Sequence, residues 1–383
     1  MAAGAGPQCI FVHVGLPKTG TTFLQGLLRK HRAALRDSGV WYPDDGHRDH
    51  FFAALDARGD HVFAGGVRPA AQGAWPRLVR LAMDFDGTVL IGHEILATAT
   101  ADRAQDALAA FDDAEIHIVV TARDPARQVV ADWQESVKHG RQHRFSQYLR
   151  HAGLLGGERT DDAKRPAPFR AQRLTEVLNN WGSGLPTGRV HIVTVPPAGA
   201  TPHLLWQRFA SVVGIPEPSR YLPGHDVRPN TSLGVADIEV MRRVSAYLDG
   251  RLVTTEFGAV AKDLYAQQIL PRVSTTRPPA PPEVLRPRLE AIAEEWISEI
   301  DERGYDVSGS LAELRPRWTE GSRAPDDWEP NEVIDTATAA TAELLLEVAQ
   351  LRRDASARRR TEGTVRRLLD AARHPSAMIR RRR

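Results

Sequence analysis

Residues 9–28, CIFVHVGLPKTGTTFLQGLL, decide the fold class. Cys9–Gly15 is an apolar, β-branched run of strand length. From Thr21 onward Phe23, Leu24, Leu27, Leu28 and Leu35 recur at helical spacing, which predicts a helix to about Arg36, stopped by Ser38-Gly39. A strand, a short loop rich in Gly and Thr, and a helix is the opening unit of an α/β protein. Three further runs have the same character: Thr88–Glu94 (TVLIGHE), Glu115–Arg123 (EIHIVVTAR) and Arg189–Val195 (RVHIVTV). Near-continuous apolar strands separated by helices predict a doubly wound parallel sheet covered on both faces.

Helical spacing also predicts helices over Pro125 to about His139, over 203–213, 234–248 and 283–303. Asp124 is placed to cap the first of these, and Pro125 takes the first helical position, where a missing N–H costs nothing. Residues 151–170, the proline-dense stretch 271–282 and residues 315–333 read as loops or linkers. The expected organisation is a flexible N-terminus (1–7), an α/β domain (8–318), a linker (319–333) and a helical, Arg-rich tail (334–383). No internal repeat is found.

The chain of 383 residues is 42% hydrophobic and 26% charged, an ordinary globular composition that excludes wholesale disorder. No signal-like N-terminus and no run of about 18 apolar residues stands out, so secretion and membrane spanning are not expected. A single cysteine, Cys9, excludes a disulfide framework and is expected to exclude any cysteine-based zinc site, and no metal-ligand spacing suggests a metal. A reducing, cytoplasmic setting is the expectation. Residues 352–383 hold 12 Arg against Asp354, Glu362 and Asp370, a charge of +9. Against the whole-chain +2, this leaves residues 1–351 at −7. Lysine is scarce, 5 against 45 arginines, and one of the five is Lys18 in the opening loop.

That loop, Val14 to Thr22, sits at the C-terminal end of a strand and the N-terminus of a helix, where free N–H groups favour an anion. Lys18 supplies a point charge, Gly20 allows close backbone approach, and Thr21 and Thr22 offer hydroxyls. A phosphate cradle is the expected chemistry. Gly15 and Gly20 have the separation of a nucleoside-triphosphate P-loop, but Thr21 stands where that motif requires lysine.

The loop PKTGTTFLQ resembles the 5′-phosphosulfate-binding loop of the sulfotransferase superfamily. Val119–Pro125 (VVTARDP) is similar to that family's strand-to-helix element for the 3′-phosphate, and Trp133–Gly140 (WQESVKHG) resembles a version in actinobacterial sulfotransferase-like proteins. HIVTVPPAG with LLWQRFASVVGI, RPNTSLG (Arg228–Gly234) and EEWISEIDERGYDVSGSLAEL extend the resemblance over roughly residues 8–318.

The resemblance implies a P-loop-NTPase-like fold and transfer of a sulfuryl group from 3′-phosphoadenosine 5′-phosphosulfate (PAPS), without a metal, to a hydroxyl of a carbohydrate, lipid or secondary metabolite. Pro17, Lys18, Thr19, Gly20, Thr21 and Thr22 would hold the 5′-phosphosulfate and Arg123 the 3′-phosphate, with Ser232 a further donor-facing candidate. The family usually has serine where this chain has Ala131. Trp133, Gln134, Lys138 and Ser232 are the candidate substitutes.

Glu94 is the favoured base for the acceptor hydroxyl and His93 the runner-up. Strand alternation is expected to send the two to opposite faces, and burial to raise the carboxylate or lower the histidine. His47 and His50 are candidates for an acceptor pocket or a plain surface loop. A catalytically silent nucleotide-binding or scaffold protein and a P-loop-type phosphotransferase are the competing readings. The tail helix, with Leu344, Val348 and Leu351 as an apolar stripe, is expected to dock on the globular domain, self-associate or meet a membrane surface, with residues 352–383 solvated and no specific nucleic-acid partner.

Overall fold

The structure, a computed structural model, describes residues 8–44, 49–63, 66–111, 114–156, 169–201, 203–222 and 232–373, with side chains, Phe63 excepted, through Ala357. Among the described residues eight strands run in chain order: β1 (Cys9–Gly15), β2 (Val40–Trp41), β3 (Val62–Phe63), β4 (Gly66–Val67), β5 (Thr88–Gly92), β6 (Glu115–Ala122), β7 (Val190–Thr194) and β8 (Asp306–Ser308). Six form one parallel sheet in the order β2-β5-β1-β6-β7-β8, and β3 and β4 make a separate antiparallel hairpin. All four strands read from sequence are present. The sheet's two edge strands, two and three residues long, carry too little pattern to be read.

β1 pairs with β5 on one side and β6 on the other, so chain direction across the sheet reverses beside β1. The loops after β1 and β6 therefore diverge at the switch point, where open α/β sheets form their ligand crevice.

Alternation along β1 explains why both faces are covered. Ile10, Val12 and Val14 pack into one core with Val89, Ile91, Ile118, Trp181 and Trp296. Phe11 faces a second core with Leu24, Leu28, Val119, Val193 and Phe209. A third core lies outside the sheet, among helices contributing Trp133, Phe145, Ile238, Met241, Ile269 and Leu289.

The predicted first helix is two segments, Thr21–Lys30 and Arg32–Asp37, parted at His31, whose ring stands edge-on to Tyr221. The helix over 125–139 is Pro125–Lys138, with Asp124 accepting from the Arg127 N–H at 2.9 Å as its cap.

The C-terminal region departs from the expected linker, and of the partners open to the tail helix it takes the globular domain. Asp326 caps the helix Phe145–His151 by accepting from the N–H groups of Phe145 and Ser146, both at 2.9 Å. Trp328 lies under the Arg243 guanidinium and Trp318 under that of Arg286. One helix, Pro330–Arg373, follows, and Val333, Thr336 and Ala340 are buried in the third core with Ala337 and Leu344 beside them. Packing therefore runs without a break through the boundary drawn at residue 334. Of the predicted stripe only Leu344 packs, while Val348 and Leu351 are exposed. The docking stripe lies a turn or more earlier and uses small side chains that let the helix approach closely. Among the described residues no helix is long and apolar enough to cross a membrane.

Candidate anion-binding site

The loop leaving β1 is held from below. Leu16 N–H donates to Thr121 O at 2.8 Å, the Thr121 hydroxyl donates to Gly15 O at 3.0 Å, and the Thr19 and Thr121 hydroxyls meet at 2.6 Å. Thr19 is fully buried and also donates to Leu16 O, so its side chain builds the loop and only its backbone can face a ligand.

Gly20 opens the helix Thr21–Lys30 at φ +90, a left-handed backbone that favours glycine, and a Cβ there would also displace the end of the Leu205 side chain. No side chain caps that helix and no acidic residue occupies its first turn, leaving its N–H groups and positive dipole end for an outside anion. Thr21 is buried and Thr22 exposed.

Arg123 leaves the end of β6 and is held by two neutral groups: Nε donates to Gln128 Oε1 at 3.3 Å and Nη2 to Arg127 O at 2.9 Å. No carboxylate lies within ion-pair distance of it among the described residues. Burial, with help from the Arg127 charge and against Asp124, brings its pKa down to about 10. The Gln128 amide reaches the other way to donate to Pro17 O at 2.6 Å, so one side chain ties the β1 loop to Arg123.

Three of the five lysines meet above the loop. Lys18 Nζ lies 2.7 Å from Glu135 Oε2, and Lys262 Nζ lies 2.8 Å from Glu135 Oε1 and 3.0 Å from His139 Nε2. Burial pushes the Glu135 carboxyl up, but Lys18, Lys262 and His139 reverse this and hold it well below the ordinary carboxylate range. Lys138 is buried within reach of the same charges. Burial, abetted by Lys18 and Lys262 and opposed by Glu135, brings it down to about 8. Sequence reading missed Glu135, Gln128 and Lys262; lysine scarcity was the one signal that pointed toward them.

His93 and Glu94 do not go to opposite faces. β5 ends at Gly92, where a Cβ would lie 2.1 Å from His13 O, and Glu94 begins a short 3-10 turn, Glu94–Thr98. His93 Nδ1 stands 3.4 Å from Glu94 Oε2, and Gln25 donates to that oxygen at 3.0 Å. Gly15 abuts Glu94, since a Cβ there would be 3.1 Å from the Glu94 Cα.

Burial alone would raise Glu94. It does push the carboxyl up, but His93, the residue's own N–H, Gln25 and Lys18 outweigh it and leave the group below the ordinary value. Burial, more than Glu94 opposes it, lowers His93. Ile95 N–H donates to His93 Nδ1 at 3.3 Å, which places the proton of the neutral ring on Nε2.

The remaining candidates have structural roles. His50 is buried between Pro43 O, to which Nε2 donates at 2.7 Å, and Gly92 N–H, from which Nδ1 accepts at 3.1 Å, with its ring stacked on Tyr42. It is a clamp rather than pocket lining, and burial holds its pKa down to about 4. Trp133 is committed to the third core, donating to His143 O at 3.0 Å. Ser232 is exposed, and its hydroxyl donates to Gln134 Oε1 at 3.2 Å, so these two candidates satisfy each other. His47, Arg228, Asn230 and Thr231 lie outside the described residues.

No family model, no curated protein and no solved structure matches the chain.

Proposed function

We propose that the chain is a PAPS-dependent sulfotransferase of P-loop-like fold, acting in the cytoplasm on a hydroxyl of a carbohydrate, lipid or secondary metabolite. The observation that carries the reading is Arg123: a half-buried guanidinium with no carboxylate partner among the described residues, tied through Gln128 to a helix N-terminus without a side-chain cap, next to the loop that bears Lys18. Two separate anion sites joined by one side chain suit a donor with a 3′-phosphate and a 5′-phosphosulfate. A nucleoside triphosphate, with its phosphates in one chain, suits them less.

Chemistry then follows from position. The acceptor oxygen attacks sulfur in line as the bond from sulfur to the 5′-phosphate oxygen breaks. Lys18 meets the charge developing on that leaving oxygen, for which its ammonium must turn from Glu135 toward the donor. Glu94 takes the acceptor proton: it stands against Gly15, ionised at neutral pH, whereas His93 has its acceptor nitrogen occupied by Ile95 N–H. Ala131 leaves the 3′-phosphate to Arg123 and the helix end behind it. The products are a sulfate ester and adenosine 3′,5′-bisphosphate.

Thermal melting tests the site. Adenosine 3′,5′-bisphosphate at a hundred times its dissociation constant should stabilise by about 2.7 kcal/mol, with ADP and ATP far less effective. Label transfer from sulfur-labelled PAPS to a panel of hydroxyl acceptors tests the reaction. Preference for ATP would remove the reading, and bisphosphate binding without transfer to any acceptor would leave a silent nucleotide-binding protein.

A further inference from the structure

The N-terminal ends of β1 and β6 carry a cluster unrelated to the anion site, about 20 Å away along β1 at 3.3 Å per residue. Register places it: Cys9 pairs with Glu115 and Phe11 with His117 between β1 and β6, while His191 pairs with Val119 on one side and Asp306 on the other. Alternation puts all of these on one face of the sheet. Cys9 Sγ, a Glu115 carboxylate oxygen and a His117 ring nitrogen lie within 4.8 Å of one another. Behind them a line of contacts runs across three strands. His117 Nε2 is 2.9 Å from Glu115 Oε1, His117 Nδ1 is 2.8 Å from His191 Nε2, and His191 Nδ1 is 2.7 Å from Asp306 Oδ2.

Counting protons shows what this line allows. Two neutral imidazoles carry two N–H protons, and there are three contacts. If His191 Nδ1–H donates to Asp306 and His117 Nδ1–H donates to His191, His117 Nε2 presents its lone pair toward the Glu115 carboxylate at 2.9 Å, with Cys9 beside them, which is the tautomer a metal ligand needs. A proton joins two atoms. Here a third donor, the Cys9 sulfur, converges on the same point, as on a metal ion.

We infer that Cys9, Glu115 and His117 form a Zn²⁺ site. The mixed sulfur, nitrogen and oxygen set is that of a borderline divalent cation, and three protein ligands leave a fourth position for water. The supporting contacts are those such sites use. His191, itself held by Asp306, accepts from the ligand histidine and fixes its tautomer, and Arg189 Nη2 holds the other oxygen of Glu115 at 3.2 Å. The number of cysteines in a chain bears on cysteine-rich zinc sites and not on a mixed set such as this one.

The test uses the full chain, stripped with a chelator and titrated with Zn²⁺ against a chromophoric competitor, then with Co²⁺. One equivalent of each should bind. The Co²⁺ form should show sulfur-to-cobalt charge transfer in the near ultraviolet and the strong visible bands of four-coordination. C9S, a one-atom change at a strand end, should remove the charge-transfer band while circular dichroism and melting of the metal-free protein stay the same. His191→Asn, acting through His117, should lower Zn²⁺ affinity about 10- to 100-fold. Failure to take up one equivalent, or a Co²⁺ spectrum unchanged by C9S, would overturn the assignment. The line would then be bridged by a shared proton.

Discussion

Replacing Glu135 by glutamine should make the protein less stable and a better anion binder at once. The carboxylate touches Lys18 at 2.7 Å and Lys262 at 2.8 Å, and the three side chains are only 21–25% exposed. At an effective dielectric of about 20, each pair is worth about 4 kcal/mol before costs. Desolvation and side-chain ordering return most of that, and the partial exposure discounts it further, leaving about 2 kcal/mol for the two contacts together. For a chain of this size that is a fall of about 2.5 °C in Tm.

The same substitution removes a negative charge about 6 Å from any anion seated on Lys18. At an effective dielectric of about 40 this is about 1.4 kcal/mol, a tenfold tighter Kd. Scanning fluorimetry reads the first effect. Titration calorimetry with adenosine 3′,5′-bisphosphate, and separately with inorganic sulfate so that the outcome does not depend on a nucleotide, reads the second. The gain in affinity should shrink as salt is added. Lower Tm with weaker sulfate binding would mean that Glu135 aims the lysines instead of competing for them, and the electrostatic argument would fail.

Glu94→Gln should lower kcat by two orders of magnitude or more with the bisphosphate Kd unchanged, while His93→Asn has a smaller effect. Because Glu94 is held below the ordinary value of about 4.3, the acid limb of kcat should also lie below it. Truncation after Leu351 should leave Tm unchanged, whereas truncation after Val333 should lower it by several degrees or yield insoluble protein, since Thr336 and Ala340 leave the third core; equal behaviour would show the helix is not docked. His13 and His50, both buried and held down to about 4, stay neutral in the fold but protonate at about 6.5 when unfolded. Their depressed values cost nothing above pH 6.5, and stability should fall as pH drops from there toward 4, by up to about 3 kcal/mol for each. A melting profile flat across that window would contradict this.

The parts of this protein legible in sequence are those whose cause is local. An apolar run pairs as a central strand because both of its faces must be covered, so β1, β5, β6 and β7 could be read. The Asp124-Pro125 start of a helix needs only its own backbone. Parity counting failed past Gly92 because the strand stops there against His13 O, and the two residues beyond it turn together toward the loop. The lysine and Glu135 group joins positions 18, 135 and 262, and the cluster at Cys9 joins four strands. Sequence spacing carries no trace of either, since both come from the order in which strands and helices are laid side by side. The stripe by which Pro330–Arg373 docks was placed too late in the helix because it is made largely by alanine and threonine, residues that no hydrophobic pattern marks.

The length of that last helix bears on how the molecule meets its surroundings. At 1.5 Å per residue, the stretch from Leu345 to Arg373 is about 43 Å long, and every side chain from Leu351 to Ala357 is exposed. Ionic screening in cells acts over about 8 Å. Residues 352–373 of that helix carry 8 Arg against Asp354, Glu362 and Asp370, a charge of +5, which over most of that length lies too far from the packed part of the acidic body to be neutralised by it. The isoelectric point of about 8.8 describes neither end. In an electric or chromatographic field the molecule should act as two bodies of opposite sign on one axis, retained by cation and anion exchangers alike.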